Sequence, residues 1–138
     1  MKSIFRFGVS LPEDLVKKFD LFIKEKNYPT RSKAIGDLIR EALIKREWEK
    51  GKEIAGAITL IYNHHKRELL NKITDIQHDF QKVIISNQHI HLDCDNCLEI
   101  IAIRGSPKEA MKLSDKLHAV KGVKHVTLCM SSTGRGVD

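Results

Sequence analysis

Residues 4 to 10 alternate, with Phe5, Phe7 and Val9 on one side and Arg6, Gly8 and Ser10 on the other, the period of a short strand with one solvated face. Pro12 stands where a helix can begin, and Leu15, Phe19, Phe22 and Ile23 recur at helical spacing until Asn27-Tyr28-Pro29 interrupts them. Thr30 is a suitable N-cap for a second helix, whose apolar stripe is Ile35, Leu38, Ile39, Ala42 and Leu43. The run Lys-Arg-Glu-Trp-Glu-Lys-Gly-Lys-Glu over 45–53 sustains no stripe and reads as the helix end and a linker, with Trp48 packing on the neighbouring domain. From Ile54 the period changes. A β-rich run over 54–62, a helix over 67–80 with Leu69, Leu70, Ile73 and Ile76 on one side, strands over 82–92 and 97–104, a helix opened by Gly105-Ser106-Pro107 and a strand over 123–129 follow in turn. The tail from Ser131 to Asp138 carries no pattern and is expected to be mobile.

The expected fold class is therefore α+β, in two domains: residues 1–50 as β-α-α, and residues 51–138 as the β-α-β-β-α-β split pattern of a ferredoxin-like sheet. The first unit has too little interior to stand alone, and its single strand leaves ladder groups unpaired. Two copies pairing their strands antiparallel about a twofold axis would resolve both problems. Residues 4–46 resemble the ribbon-helix-helix DNA-binding domain on this ground. That resemblance implies paired strands in the major groove, with Arg6, Gly8 and Ser10 facing base edges. An arginine can read guanine through two hydrogen bonds and a serine hydroxyl can donate or accept, whereas Gly8 has no side chain to read with. At the start of the second helix, Thr30-Arg31-Ser32 offers free amides and a cation suited to a backbone phosphate, and Thr30 and Ser32 also suit helix capping.

Charge changes this picture only mildly. Lys plus Arg number 24 against 18 Asp plus Glu, a net +6 with the larger part of the excess in the first fifty residues, so a polyanion would meet mainly the N-terminal part. Three cysteines and no secretory leader argue against a disulfide framework, and no apolar run approaches a bilayer span. A cytoplasmic protein with free thiols and no membrane partner is expected.

Candidate chemistry concentrates in His89-Ile90-His91-Leu92-Asp93-Cys94-Asp95-Asn96-Cys97. Side chains two apart on a strand share a face, so His89 and His91 present neighbouring nitrogens, and a hairpin would return Cys97 beside them. If residues 94–96 form the loop, His91 faces Glu99, and both His, Cys97 and Glu99 share one face. A loop of even length reverses that phase unless a bulge restores it, so an odd loop or a bulge is expected. Three donors are too few for a closed site, which leaves a fourth to come from elsewhere.

Together, Arg31-Ser32, Lys66-Arg67, Gln77-His78, His89-Ile90-His91 and Cys97-Leu98-Glu99, in this order and on these elements, resemble the nickel-responsive transcriptional regulators, the NikR family, with a ferredoxin-like (ACT-like) metal domain. The similarity runs from about residue 4 to about residue 130. It implies one nickel ion per chain, held in a plane by His89, His91 and Cys97 of one subunit and His78 of another, with Glu99 orienting the ligands. It further implies a homotetramer built as a dimer of dimers, double-stranded operator DNA as partner, and Lys66 and Arg67 near the DNA backbone. Relatives hold a hard cation with carboxylates on the second helix; here Asp37 matches one such position and Lys33 occupies another.

The function expected is a nickel-dependent repressor of a palindromic operator, controlling nickel uptake, and not an enzyme, since four protein ligands would fill the plane that catalysis needs open. Ligand types alone leave zinc and copper as alternatives. A metal-storage or metal-delivery protein would need the same ligands without the basic ribbon. Cys94, two intervening residues from Cys97, is out of phase with His91, and His64 and His65 could serve a weak accessory site or be plain surface histidines.

Overall fold

The structure is a computed structural model that describes residues 2–138. Residues 2–12 form neither helix nor ladder; the strand expected over 4–10 has no partner within one chain, because alternation alone supplies no neighbour to bond. Helix α1, Glu13–Glu25, opens on Glu13 and Asp14, whose charges suit the positive end of the helix. Past its C-cap Lys26, Asn27 takes φ 58° and turns the chain away, while the Tyr28 N–H donates to the Ile23 carbonyl at 3.0 Å. Thr30 then caps α2, Arg31–Lys50, its hydroxyl accepting from the Lys33 N–H at 3.1 Å.

Helix α2 continues through the charged run expected to be a linker and stops only at Gly51, φ 73°. Ile44 and Trp48, four residues apart, fall on one stripe and pack into the core formed with the sheet that follows, within one compact unit, which holds the last turns helical. Trp48 is buried as expected, and its indole N–H donates to the Ser131 carbonyl at 2.8 Å. By contacts the chain divides into two compact units, one ending at Ile39 and one running Arg40–Asp138.

In the second unit, β1 (Ile54–Asn63), α3 (Arg67–Asp79), β2 (Ile84–His91), β3 (Asn96–Gly105), α4 (Pro107–His118) and β4 (Val123–Met130) follow in the expected β-α-β-β-α-β order. The strands form one antiparallel sheet in the order β2-β3-β1-β4. Ile58, Leu60 and Tyr62 of β1 alternate onto the same buried face as Cys97, Glu99, Ile101 and Ile103 of β3. Leu69 and Ile73 of α3 and Ala110, Leu113 and Leu117 of α4 close over that face. Ser106 caps α4 by accepting from the Glu109 N–H, and Pro107 sits at the first helical position. The tail expected to be mobile is held at two points, since the Arg40 guanidinium donates to the Val137 carbonyl at 2.8 Å and Trp48 holds Ser131. Among the described residues no helix is long and apolar enough to cross a membrane.

Candidate metal centre

The β2–β3 hairpin pairs His91 with Cys97 and His89 with Glu99. The ladder thus sits two residues from the register expected, with the turn at 93–95 in place of 94–96. Three turn residues remain an odd number, so His89, His91, Cys97 and Glu99 still share one face. Asp93 locks the turn. Its carboxylate accepts from the Asp95 N–H at 2.9 Å, the Asn96 N–H at 2.8 Å and the Asn96 side-chain amide. Those bonds, the Asn96 side chain foremost, hold the Asp93 carboxyl down at about 2.

Glu99 is fully buried, a position that costs several kcal/mol unless the charge is met by donors. The Tyr62 hydroxyl donates to one oxygen at 2.8 Å, and the Gln77 amide donates to the other at 2.6 Å, joined there by the Asn87 amide at 3.2 Å. The His89 ring lies between this carboxylate, 3.7 Å from Nε2, and the Tyr62 oxygen, 3.2 Å from Nδ1. Burial, then the bond to Glu99 and its charge, then Cys97, push the Tyr62 phenol far above its ordinary range, so it stays protonated and remains a donor. Cys97 is buried beside it.

His91 is engaged on its other side. Its ring stacks on His64 with centroids 4.5 Å apart, and His64 meets His65 at 4.2 Å. Desolvation first, then the neighbouring imidazoles of His65 and His91, hold the His64 pKa below its ordinary value. The His65 ring meets the Cys94 carbonyl at 2.6 Å, while the Cys94 side chain is exposed and Cys97 is buried. Among the described residues of one chain, no three His, Cys, Asp or Glu side chains close on a common point suited to an ion. The backbone therefore delivers His89, His91 and Cys97 to one face, while Tyr62 and His64 hold the two rings.

His78 is exposed near the end of α3, one residue after Gln77, whose side chain reaches Glu99. Consecutive helical residues point about 100° apart, so with Gln77 turned to the sheet, His78 is turned from its own hairpin. Donor chemistry fits a late transition metal: two imidazoles and a thiolate on one face, a buried carboxylate behind them and a further imidazole left outward. Tyr62 and Asn87 were not singled out by sequence. Their signals exist, since Asn87 shares the phase of His89 and His91, and a buried phenol requires a polar partner.

In the N-terminal unit, Arg6, Gly8 and Ser10 are exposed. The Arg31 guanidinium binds Asp20 through two bonds, 2.8 and 2.7 Å, and the Lys33 ammonium sits 2.7 Å from Asp37. Ser32 lines a groove with Ile4, Phe5, Phe7, Ile35 and Ile39. In the second unit, Lys66 and Arg67 open α3 and line a groove of about 630 Å3 together with Lys72 and Lys121.

The family model described as the NikR C terminal nickel binding domain matches residues 55–131. A protein described as a nickel-responsive regulator, from Syntrophus aciditrophicus, is 60% identical over 135 residues, 98% of each chain. Another so described, from Thermococcus kodakarensis, is 47% identical over 96% of this chain and 97% of its own. Among solved structures, an uncharacterized protein from Thermotoga maritima shares the fold at a TM-score of 0.51 and 14% identity, over 56% of this chain and 95% of its own.

Proposed function

The chain belongs to the nickel-responsive regulator family, and from that premise we propose that it is a nickel-gated repressor that binds a palindromic operator and controls nickel uptake. The observation that carries this reading is the common face of His89, His91 and Cys97 around the buried Glu99. His89, His91 and Cys97 of one chain and His78 of another hold one nickel ion per chain, with Glu99 and Tyr62 fixing the orientation of His89. A bound nickel ion would supply a cross-link between subunits. The protein residues do the rest: α3 gains order where His78 leaves it, and that order shifts the population of domain arrangements able to reach both halves of an operator.

The N-terminal unit supports the DNA half of the reading. Phe5, Phe7 and Val9, on one side of the alternation, are between 64% and 86% exposed in one chain, too much apolar surface for a monomer to leave in water. A second copy pairing through this ribbon would cover them and turn Arg6, Gly8 and Ser10 outward to base edges. Thr30, Arg31 and Ser32 at the α2 start, and Lys66 and Arg67 at the α3 start, are placed to meet phosphates. Asp20 holds the Arg31 guanidinium by one edge and leaves donors for an oxygen. The assembly is a tetramer, two ribbon dimers joined through the metal domains, working in the cytoplasm and without catalytic activity.

A gel shift on the promoter region of a nickel transporter, with and without one equivalent of nickel per chain, tests the proposal. Nickel-dependent retardation, lost in His89→Ala and His78→Ala, is the expected result. Tight nickel binding with no retardation at any nickel level would instead mark a storage or delivery protein.

A further inference from the structure

We propose that Gln77, Asn87 and Glu99 form a clamp that couples metal sites on different subunits, so that filling the hairpin of one chain prepares the His78 that the same chain donates elsewhere. This rests on the reading of His78 as a ligand for another chain's site. The three side chains close a ring: Gln77 donates to Glu99 at 2.6 Å, Asn87 donates to the same carboxylate oxygen at 3.2 Å, and Asn87 also donates to the Gln77 carbonyl at 3.1 Å. Each member belongs to a different element. Gln77 is on α3, Asn87 on β2 and Glu99 on β3.

On one side the ring reaches the metal donors. Glu99 faces His89 across the ladder and accepts from Tyr62, whose oxygen lies 3.2 Å from the His89 ring and which pairs with Cys97 across the β1–β3 ladder. On the other side it reaches His78 through a single peptide link, because Gln77 and His78 are consecutive. The end of α3 is seated on the core by Ile76 and by Phe80 just past the helix, and Gln77 alone bonds it to Glu99 of the hairpin. The apolar side chains hold the helix end on the core, and the amide of Gln77 ties the turn that carries His78 to the strand that carries the metal donors.

Ordering His89 and Cys97 around an ion therefore steadies Tyr62 and Glu99, and the ring carries that order to the His78 turn. A site that receives an already ordered ligand loses less conformational freedom on filling, which makes successive binding events cooperative, and the effect is reciprocal. Asn87 is the member suited to a test. It is exposed, and its side-chain amide bonds Gln77 and Glu99, neither of them a proposed ligand, so its removal loosens the clamp without deleting a donor.

The experiment uses the full-length assembled protein with nickel itself as the probe. In the wild type, the nickel isotherm should be steeper than independent sites allow. Asn87→Ala should flatten it and weaken half-saturation about tenfold, while amide exchange at residues 77–80 of the metal-free protein accelerates and the thermal midpoint stays within about 2 °C. Gln88→Ala, on the opposite face of β2, should match the wild type throughout. A wild-type isotherm without extra steepness, or an Asn87→Ala isotherm equal to the wild type, would overturn the clamp; so would a fallen midpoint with the steepness intact, since that describes a merely structural side chain. His78→Ala separates the two ideas: if it leaves nickel affinity unchanged, the ligand reading has failed, whereas if it abolishes tight binding and Asn87→Ala changes nothing, only the clamp has failed.

Discussion

His91 and Cys97 are direct partners across the β2–β3 ladder, so an imidazole and a thiol face one another on the side of the sheet that also buries Glu99. Cys97→Ser keeps the volume of this pair and removes its soft donor. Nickel affinity should fall at least about a hundredfold, and the sulfur charge-transfer absorption that accompanies nickel binding to the wild type should vanish, with circular dichroism unchanged. Affinity of the wild type should also weaken in acid, because the thiol and imidazoles must lose protons to bind. A Cys97→Ser protein with the wild-type spectrum would remove the thiol from the centre.

Tyr62 is buried and supplies the phenolic donor to Glu99. Tyr62→Phe leaves that carboxylate oxygen without its 2.8 Å partner, at a cost of about 1–3 kcal/mol. Urea unfolding of the metal-free protein should move to lower denaturant by that amount, and His89 should lose its restraint and bind nickel more weakly. Unchanged unfolding would mean that water replaces the hydroxyl freely.

The Asp20–Arg31 pair gives a pH signature. Its hydrogen bonds hold the Asp20 carboxyl below its ordinary 3.8. A depressed folded-state pKa contributes stability above the unfolded value, and that contribution is lost as pH falls through the folded value. The stability difference between wild type and Asp20→Asn should therefore be present at neutral pH, begin to shrink as pH drops below about 4, and disappear once the carboxyl is protonated. Both groups are exposed, so added salt should also reduce it. A difference independent of pH and salt would assign the effect to packing.

Gly56 is needed for a close approach of chains. A Cβ there would lie 2.5 Å from the Cys129 carbonyl oxygen and 3.3 Å from the Trp48 ring, and the carbonyl belongs to a paired strand that cannot swing aside. Gly56→Ala should destabilise the second unit by about 1–3 kcal/mol. Trp48 is the one tryptophan of the chain, so its fluorescence during unfolding reads the change directly. A neutral outcome would show that β4 yields more easily than its ladder suggests.

Periodicity alone was enough to order the elements, because each apolar stripe must find a covered face: Leu69 and Ile73 on α3, Leu113 and Leu117 on α4, and alternate residues of β1 and β3 all meet in one core. The shared face of His89, His91 and Cys97 was legible for the same reason, since the strand period survives any turn of odd length. Chain order could not supply what depends on distant neighbours. Whether residues 45–50 stayed helical rested on a distant seat for Trp48, whereas the hairpin turn at 93–95 was set locally, by Asp93 accepting from amides two and three residues on. Only the folded sheet set Gln77, Asn87 and Tyr62 around Glu99, because a buried carboxylate must gather its donors from whichever elements the packing brings near.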